Sequence, residues 1–266
     1  MTRRAGDASP ARVHPGHVRS VRLEREAIES FESYPFSIPA VRALDELALD
    51  AKVTFLVGDN GTGKSTLVEA IAVAAGFNAE GGGQNFAFAS RRSESELHRH
   101  LRLVRNPSRP KDGFFLRAES LFNMATEIER LDAEPLGGSR LIDSYGGLSL
   151  HEQSHGESFL ALACNRFRGD GFYILDEPEA ALSPNRQLAM LALMHDLVER
   201  RTSQFLVATH SPILMAYPGA TIYHLDAKAG IRRIAYEETD HYRITKDFLS
   251  NRERYFKHLF AAPEPD

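Results

Sequence analysis

The sequence predicts an α/β fold with a largely parallel sheet, on three observations. Short runs such as KVTFLVG (52–58), GFYILD (171–176) and QFLVATH (204–210) are apolar on both faces, as strands buried inside a parallel sheet are. Longer runs with apolar residues three and four apart separate them and read as amphipathic helices. The resulting strand–helix–strand alternation belongs to α/β architecture. With 266 residues and 42% hydrophobic content, the chain has material for one large domain or two small ones. A formal charge of −4 together with that hydrophobicity argues against global disorder and against a wholly basic nucleic-acid coat. No internal repeat is visible.

The elements follow in order. VRSVRLERE (18–26) alternates like a half-buried strand, and KVTFLVG follows as a buried one. A helix starts near Gly63, runs through KSTLVEAIAVAA and ends at Gly76 as a C-terminal cap. The glycine-rich stretch 78–90 reads as a loop with a short strand. In SESELHRHLRLV (93–104), Leu97, Leu101 and Val104 share one helical face, so a helix is expected, followed by a proline-containing turn at 106–113. GFFLRAES (113–120) is a strand, LFNMATEIERL (121–131) a helix, and the glycine-rich stretch 134–148 a loop. A helix starts at SHGESFLALACNRF (154–167), ahead of the strand GFYILD. A helix fits 185–200, a strand 204–210 and another 220–226. Residues 227–260 are expected to form a strand and a terminal helix packed on the body, with Phe248, Leu249, Tyr255, Phe256 and Leu259 in core contacts or, alternatively, docking a partner.

Other features bound the setting. No apolar run approaches the roughly 20 residues a spanning helix needs, so no membrane insertion is expected. Residues 1–16 carry arginines without an apolar segment and read as a flexible arm, and 261–266 as a tail. The single cysteine, Cys164, cannot form an internal disulfide, which fits a cytoplasmic setting; its apolar neighbours suggest a small core residue.

The chemistry concentrates in two motifs. Gly58-Asp59-Asn60-Gly61-Thr62-Gly63-Lys64-Ser65-Thr66 matches G-x-x-x-x-G-K-[ST] between a strand and a helix. Glycines let successive backbone N–H groups turn toward phosphate oxygens, and the helix N-terminus adds partial positive charge. Lys64 should reach the β- and γ-phosphates of ATP, and Ser65 should ligate Mg²⁺. The second motif, FYILDE (172–177), is a buried strand ending in two acids. Asp176 would hold Mg²⁺ through water, and Glu177 is placed to polarise an attacking water.

At this point a family resemblance emerges. Asp176-Glu177-Pro178-Glu179-Ala180-Ala181-Leu182-Ser183 resembles the Walker B and D-loop run of ABC-type P-loop ATPases. Ser154-His155-Gly156-Glu157-Ser158, 22 residues before Asp176, resembles the signature of that class, although His155 replaces the first glycine and Glu157 the final glutamine. Ser154 and Glu157 also fit a capping box, compatible with a γ-phosphate contact. His210, 34 residues after Asp176, stands where the class has its switch histidine. Glu119 in FFLRAESLF occupies the Q-loop place and would join the metal site; Gln84 competes for that role. Tyr34 or Phe36 would stack on adenine, or either could be a core aromatic. The chain looks closest to stand-alone, AAA-labelled ATPases with ABC-type heads and no transporter domain. The resemblance implies an ABC-type fold, a largely parallel sheet flanked by helices with an antiparallel portion. It implies one ATPase domain over 17–260 with a helical insert at about 120–158. It also implies ATP and Mg²⁺ as ligands and a nucleotide-sandwich homodimer in which Ser154 and Gly156 act in trans, while Lys64, Glu177 and His210 act in cis.

The process coupled to ATP stays open at this level. Residues 91–111 hold Arg91, Arg92, Arg99, Arg102, Arg105, Arg109 and Lys111 against Glu94 and Glu96. Such a cluster could neutralise nucleic-acid phosphates in repair or defence, or be a solvated basic face. The alternatives are a nucleotide-switched module for an unknown protein partner, or the ATP-binding subunit of a membrane transporter.

Overall fold

In the computed structural model, which describes residues 16–49, 51–83, 95–133 and 140–261, the chain builds two sheets. Its elements are β1 (Val18–Leu23), α1 (Pro39–Arg42), β2 (Glu46–Ala48), β3 (Val53–Val57), α2 (Lys64–Ala75), β4 (Leu101–Arg105), β5 (Asp112–Arg117), α3 (Leu121–Ala133), α4 (His155–Arg166), β6 (Gly171–Asp176), α5 (Pro184–Arg201), β7 (Gln204–Ala208), α6 (Pro212–Met215), β8 (Thr221–Asp226), β9 (Gly230–Ile234), α7 (Asp240–Ser250) and α8 (Arg252–Leu259).

The larger sheet runs β5-β6-β7-β3-β8-β9. Its pairings from β5 through β8 are parallel, and β9 closes the edge antiparallel to β8. β3, β6 and β7 are buried at every position, the property that made them legible as unbroken apolar runs. The smaller sheet, β2-β1-β4, is antiparallel. Gln204 joins the two sheets. Its side-chain oxygen accepts the Val18 N–H at 2.8 Å, and its amide donates to Val18 O at 2.8 Å and Leu49 O at 3.0 Å.

The large sheet divides two cores. Phe55, Phe114, Tyr173 and Phe205 face α3, α4 and α5 on one side, whereas Leu56, Phe115, Ile174 and Leu206 face α2 and the small sheet on the other. Alternating side-chain direction along each strand produces this division. Full burial of each such Leu or Phe favours folding by about 1.5–3 kcal/mol. The parallel strands all end toward the same edge, where open α/β sheets place their ligands.

Three expectations are corrected. The helix expected at 93–104 is not found among its described residues, 95–104: Glu96–His100 form a 3-10 turn and Leu101–Arg105 form β4, paired with β1. Leu97, Leu101 and Val104 fit helical spacing, but pairing with the edge of β1 overrides so short a pattern. Cys164 is not a core residue but is exposed on α4, beside buried Leu162 and Ala163. Residues 240–259 are not one core-packed helix. They form two helices with no buried residue, and Phe248, Tyr255, Phe256 and Phe260 stack on one another instead. The expected arm at residues 1–15, the competing Gln84, Arg91, Arg92 and the tail at 262–266 lie outside the described residues.

Candidate functional site

The glycine-rich loop links β3 to α2. Gly63 has φ +94°, a left-handed value that side-chain-bearing residues resist, and a Cβ there would stand 2.6 Å from Ile38 Cγ2. Its backbone starts α2 directly at Lys64. The Lys64 ammonium is buried and donates to Gly58 O at 2.8 Å and Asp59 O at 2.9 Å. Burial lowers its pKa, while the carboxylates of Glu177 and Asp176 pull the other way. Thr62 Oγ1 donates to Asp59 O at 2.8 Å and braces the turn, leaving Asn60 and Gly61 exposed at its tip. Tyr34 is 68% exposed and its hydroxyl lies 3.5 Å from Thr66 Oγ1, at the rim of this loop. Phe36 is buried in the core instead, edge-on to His100.

β6 delivers Asp176 and Glu177 to the same edge. Ser65 Oγ donates to Asp176 Oδ1 at 3.2 Å, joining the two motifs. Burial pushes the Asp176 carboxyl up to about 6, and the Arg117 guanidinium opposes that rise. Glu177 has φ 49° and ψ 51°, a left-handed conformation uncommon outside glycine. That backbone turns its half-exposed carboxylate toward His210, Oε1 to Nε2 at 3.7 Å. Strained backbone of this kind concentrates at functional positions.

Four residues that the sequence reading passed over complete the constellation. Arg117, at the end of β5, lies with Nη1 2.8 Å from Glu69 Oε2 and Nε 3.3 Å from Asp176 Oδ2; Nη1 also donates to Ala79 O at 3.1 Å. Glu179 accepts the Thr209 hydroxyl at 2.6 Å and the His210 N–H at 2.5 Å, fixing the segment after β7; burial raises its pKa. His241, on the first turn of α7, places Nε2 2.8 Å from His210 Nδ1. Arg186, on the first turn of α5, reaches Glu157 at 2.9 Å and Ser154 Oγ at 3.3 Å. Glu179 and Arg117 stand inside quoted runs but were given no role there, Arg186 belongs to no motif, and His241 is far from the others in sequence.

The proposed signature has a built geometry of its own. The Ser154 N–H and hydroxyl both donate to Glu157 Oε2, at 3.1 Å and 2.6 Å. Ser154 and His155 are exposed at the N-terminus of α4, while Gly156 is buried. A Cβ on Gly156 would meet Ala181 O at 2.7 Å, so only glycine lets α4 approach the run after β6 so closely. His155 lines a cleft of about 380 Å³ together with Ser65, Arg117, Glu119, Asp176 and Glu177. Glu119 is at the rim of that cleft, 3.7 Å from Arg117 Nη2. The structure therefore gathers Lys64, Ser65, Asp176, Glu177 and His210 at one edge, with Tyr34 and Glu119 at its margins. It sets Ser154 at the exposed N-terminus of the neighbouring α4, with Gly156 buried behind it.

The donor set suits a nucleotide with a divalent metal. It offers the N-terminus of α2, a buried ammonium, a hydroxyl beside a carboxylate, and His210 Nε2, which is buried without a hydrogen-bond partner among the described residues.

A family model described as "AAA domain" matches residues 27–113, and one described as "AAA domain, putative AbiEii toxin, Type IV TA system" matches residues 141–216. No curated protein matches the chain. Among solved structures, cbiO1 from Clostridium perfringens, part of an ABC transporter complex, is 15% identical with TM-score 0.48, over 92% of this chain and 99% of that one. The SMC head domain from Thermotoga maritima is 14% identical with TM-score 0.44, over 82% and 99%. The chain resembles ABC-type P-loop ATPase heads of the AAA-labelled group.

Proposed function

We propose that this chain, taken as an ABC-type P-loop ATPase head, binds ATP with Mg²⁺ and hydrolyses it as a nucleotide-sandwich homodimer. The observation that carries the reading is the Ser65–Asp176 hydrogen bond at 3.2 Å, which sets the phosphate-loop hydroxyl against the carboxylate of the neighbouring strand end. Backbone N–H groups of residues 60–66 and the Lys64 ammonium hold the phosphates. Ser65 and Asp176, with Glu119 at the rim, would hold Mg²⁺, which neutralises phosphate charge when bound. Tyr34 would stack on adenine. Glu177 orients the attacking water and accepts its proton, and His210 donates to the γ-phosphate. Ser154, exposed at the N-terminus of α4, with Gly156 behind it, completes the partner's site. A single copy of each motif makes the homodimer the simplest closed assembly.

The test is Mg²⁺-dependent ATP turnover by the purified chain. Lys64→Ala should lose both nucleotide binding and turnover. Glu177→Gln should bind ATP and lose turnover by at least about a hundredfold. Turnover unaffected by both substitutions would remove the reading.

One feature favours a nucleic-acid process, such as repair or defence, as the coupled event. Arg22 and Arg102 lie directly opposite each other in the β1–β4 register, both exposed, with Arg99 and Arg105 exposed nearby. Like charges placed so are unfavourable for the sheet itself, which suits a face that meets phosphate. Arg22 is partly offset by Glu46 at 3.0 Å. DNA- or RNA-stimulated turnover, lost when Arg99, Arg102 and Arg105 become Glu, supports this coupling. Turnover indifferent to nucleic acid favours a protein partner.

A further inference from the structure

We propose that His241 is a positioning residue for hydrolysis: it donates from Nε2 to His210 Nδ1 and thereby fixes His210 in the tautomer that carries its proton on Nε2, facing the γ-phosphate. The inference rests on the ATPase reading and extends it to the C-terminal helices.

The geometry narrows the choice. The two nitrogens are 2.8 Å apart, a full hydrogen bond, with the rings 4.9 Å apart between centroids and inclined at 63°. Both side chains are neutral-favouring: burial lowers both pKa values first, and the Lys64 ammonium adds to the effect in each. A neutral imidazole carries one ring proton, so one partner donates and the other accepts.

Two arrangements are then available. If His210 donated from Nδ1, its Nε2 would present a lone pair to the Glu177 carboxylate at 3.7 Å. That contact sets two electron-rich atoms against each other. If His241 donates, His210 Nε2 carries the proton and faces the carboxylate favourably. Nε2 is also buried with no hydrogen-bond partner among the described residues, which suits a donor aimed at a phosphate oxygen of bound ATP. The neighbouring groups thus select one tautomer.

The supporting frame is independent of this pair. The Glu179 carboxylate holds the His210 backbone N–H, so the imidazole pivots on a fixed main chain. His241 enters on the first turn of α7, which is capped by Thr239 accepting the Tyr242 N–H at 3.3 Å. α7 has no buried residue of its own, and this hydrogen bond ties the C-terminal helices to the proposed nucleotide site.

The experiment combines nitrogen-15 NMR of the imidazole rings with steady-state kinetics at about pH 8, where both rings are neutral. The chain has eleven histidines, so the spectrum of His210→Gln assigns the His210 signals. The wild type should show His210 protonated on Nε2. His241→Phe should turn that into a mixture of tautomers, lower kcat by about tenfold to a hundredfold, and leave the dissociation constant for ATP within about twofold. His241→Gln keeps an N–H donor at the Nε2 position and should recover most of the lost rate. The wild-type tautomer is read without any substitution at 241, so the test stands even if His241→Phe folds poorly.

A wild type with His210 protonated on Nδ1 overturns the inference. So does full turnover by His241→Phe while His210→Gln is inactive; that pattern leaves the ATPase reading intact. No turnover by the wild type removes the ATPase reading and the inference together, whereas an unimpaired His210→Gln removes the role of His210 and the inference but leaves the ATPase reading intact.

Discussion

Arg117 and Asp176 stand 3.3 Å apart, Nε to Oδ2, with the guanidinium also bound to Glu69 at 2.8 Å. One cation therefore serves a carboxylate at the end of β6 and another on α2, tying the phosphate-loop helix to the proposed metal ligand. Side-chain exposures of 15%, 5% and 14% keep the three groups out of bulk solvent.

Replacing Arg117 by Met leaves both acids without that partner. Breaking a buried pair from one side costs about 3 kcal/mol, and denaturant unfolding at neutral pH measures it. The pH sign follows from Asp176, whose pKa is raised to about 6 from 3.8. A raised carboxyl favours folding fully below about pH 4, and that contribution is lost as pH rises through about 6. The penalty of Arg117→Met should therefore be largest above pH 6 and shrink in acid. A penalty independent of pH would contradict the pairing.

Glu177→Gly should separate function from stability. Glycine accepts the left-handed conformation at φ 49° without the strain glutamate bears. The variant should lose turnover and yet unfold no earlier than the wild type, with a gain of up to about 1 kcal/mol. A clear loss of stability would mean that the conformation is not strained here.

Gly156→Ala tests the close approach of α4. The new methyl would meet Ala181 O and Arg186 Nη1, each at 2.7 Å. Overpacking against backbone costs about 1–3 kcal/mol, and a melting temperature indistinguishable from wild type would show that α4 can shift freely.

The His210–His241 pair predicts acid sensitivity. Both pKa values lie below the ordinary 6.5, through burial first and the Lys64 charge second. The unfolded chain thus binds more protons than the native one in mild acid. The stability contributed by these groups is present above pH 6.5 and is lost as pH falls through their lower native values. A His210→Gln/His241→Gln variant should show a flatter denaturant midpoint between about pH 7.5 and 5 than the wild type. Parallel profiles would contradict it.

How much of this was legible in the sequence depends on how local the signal is. β6 and α2 were readable almost to the residue, because an unbroken apolar run ending in Asp176-Glu177 and a helix starting at Gly63-Lys64 need only neighbouring residues. β4 was not, because Leu97, Leu101 and Val104 follow helical spacing, and only the β1 edge, far away in sequence, makes the segment a strand. Arg117, Arg186 and His241 were invisible for a related reason. Each reaches the site through the sheet order or helix placement, and sequence separation from its partner carries no trace of that proximity. The exposed aromatic cluster of α7 and α8 misled because its spacing is amphipathic, yet its apolar residues meet one another and not the body of the protein.

The central claim, a nucleotide sandwich completed by Ser154 and Gly156 of a second copy, is tested most directly by light scattering of the Glu177→Gln variant with and without Mg-ATP. With hydrolysis blocked, the mass should rise from the 29.6 kDa monomer to twice that value on adding Mg-ATP, and Ser154→Arg in the same background should prevent the rise. A mass unchanged by Mg-ATP in a variant shown to bind the nucleotide would contradict the homodimer and assign the completing half of the site to another protein.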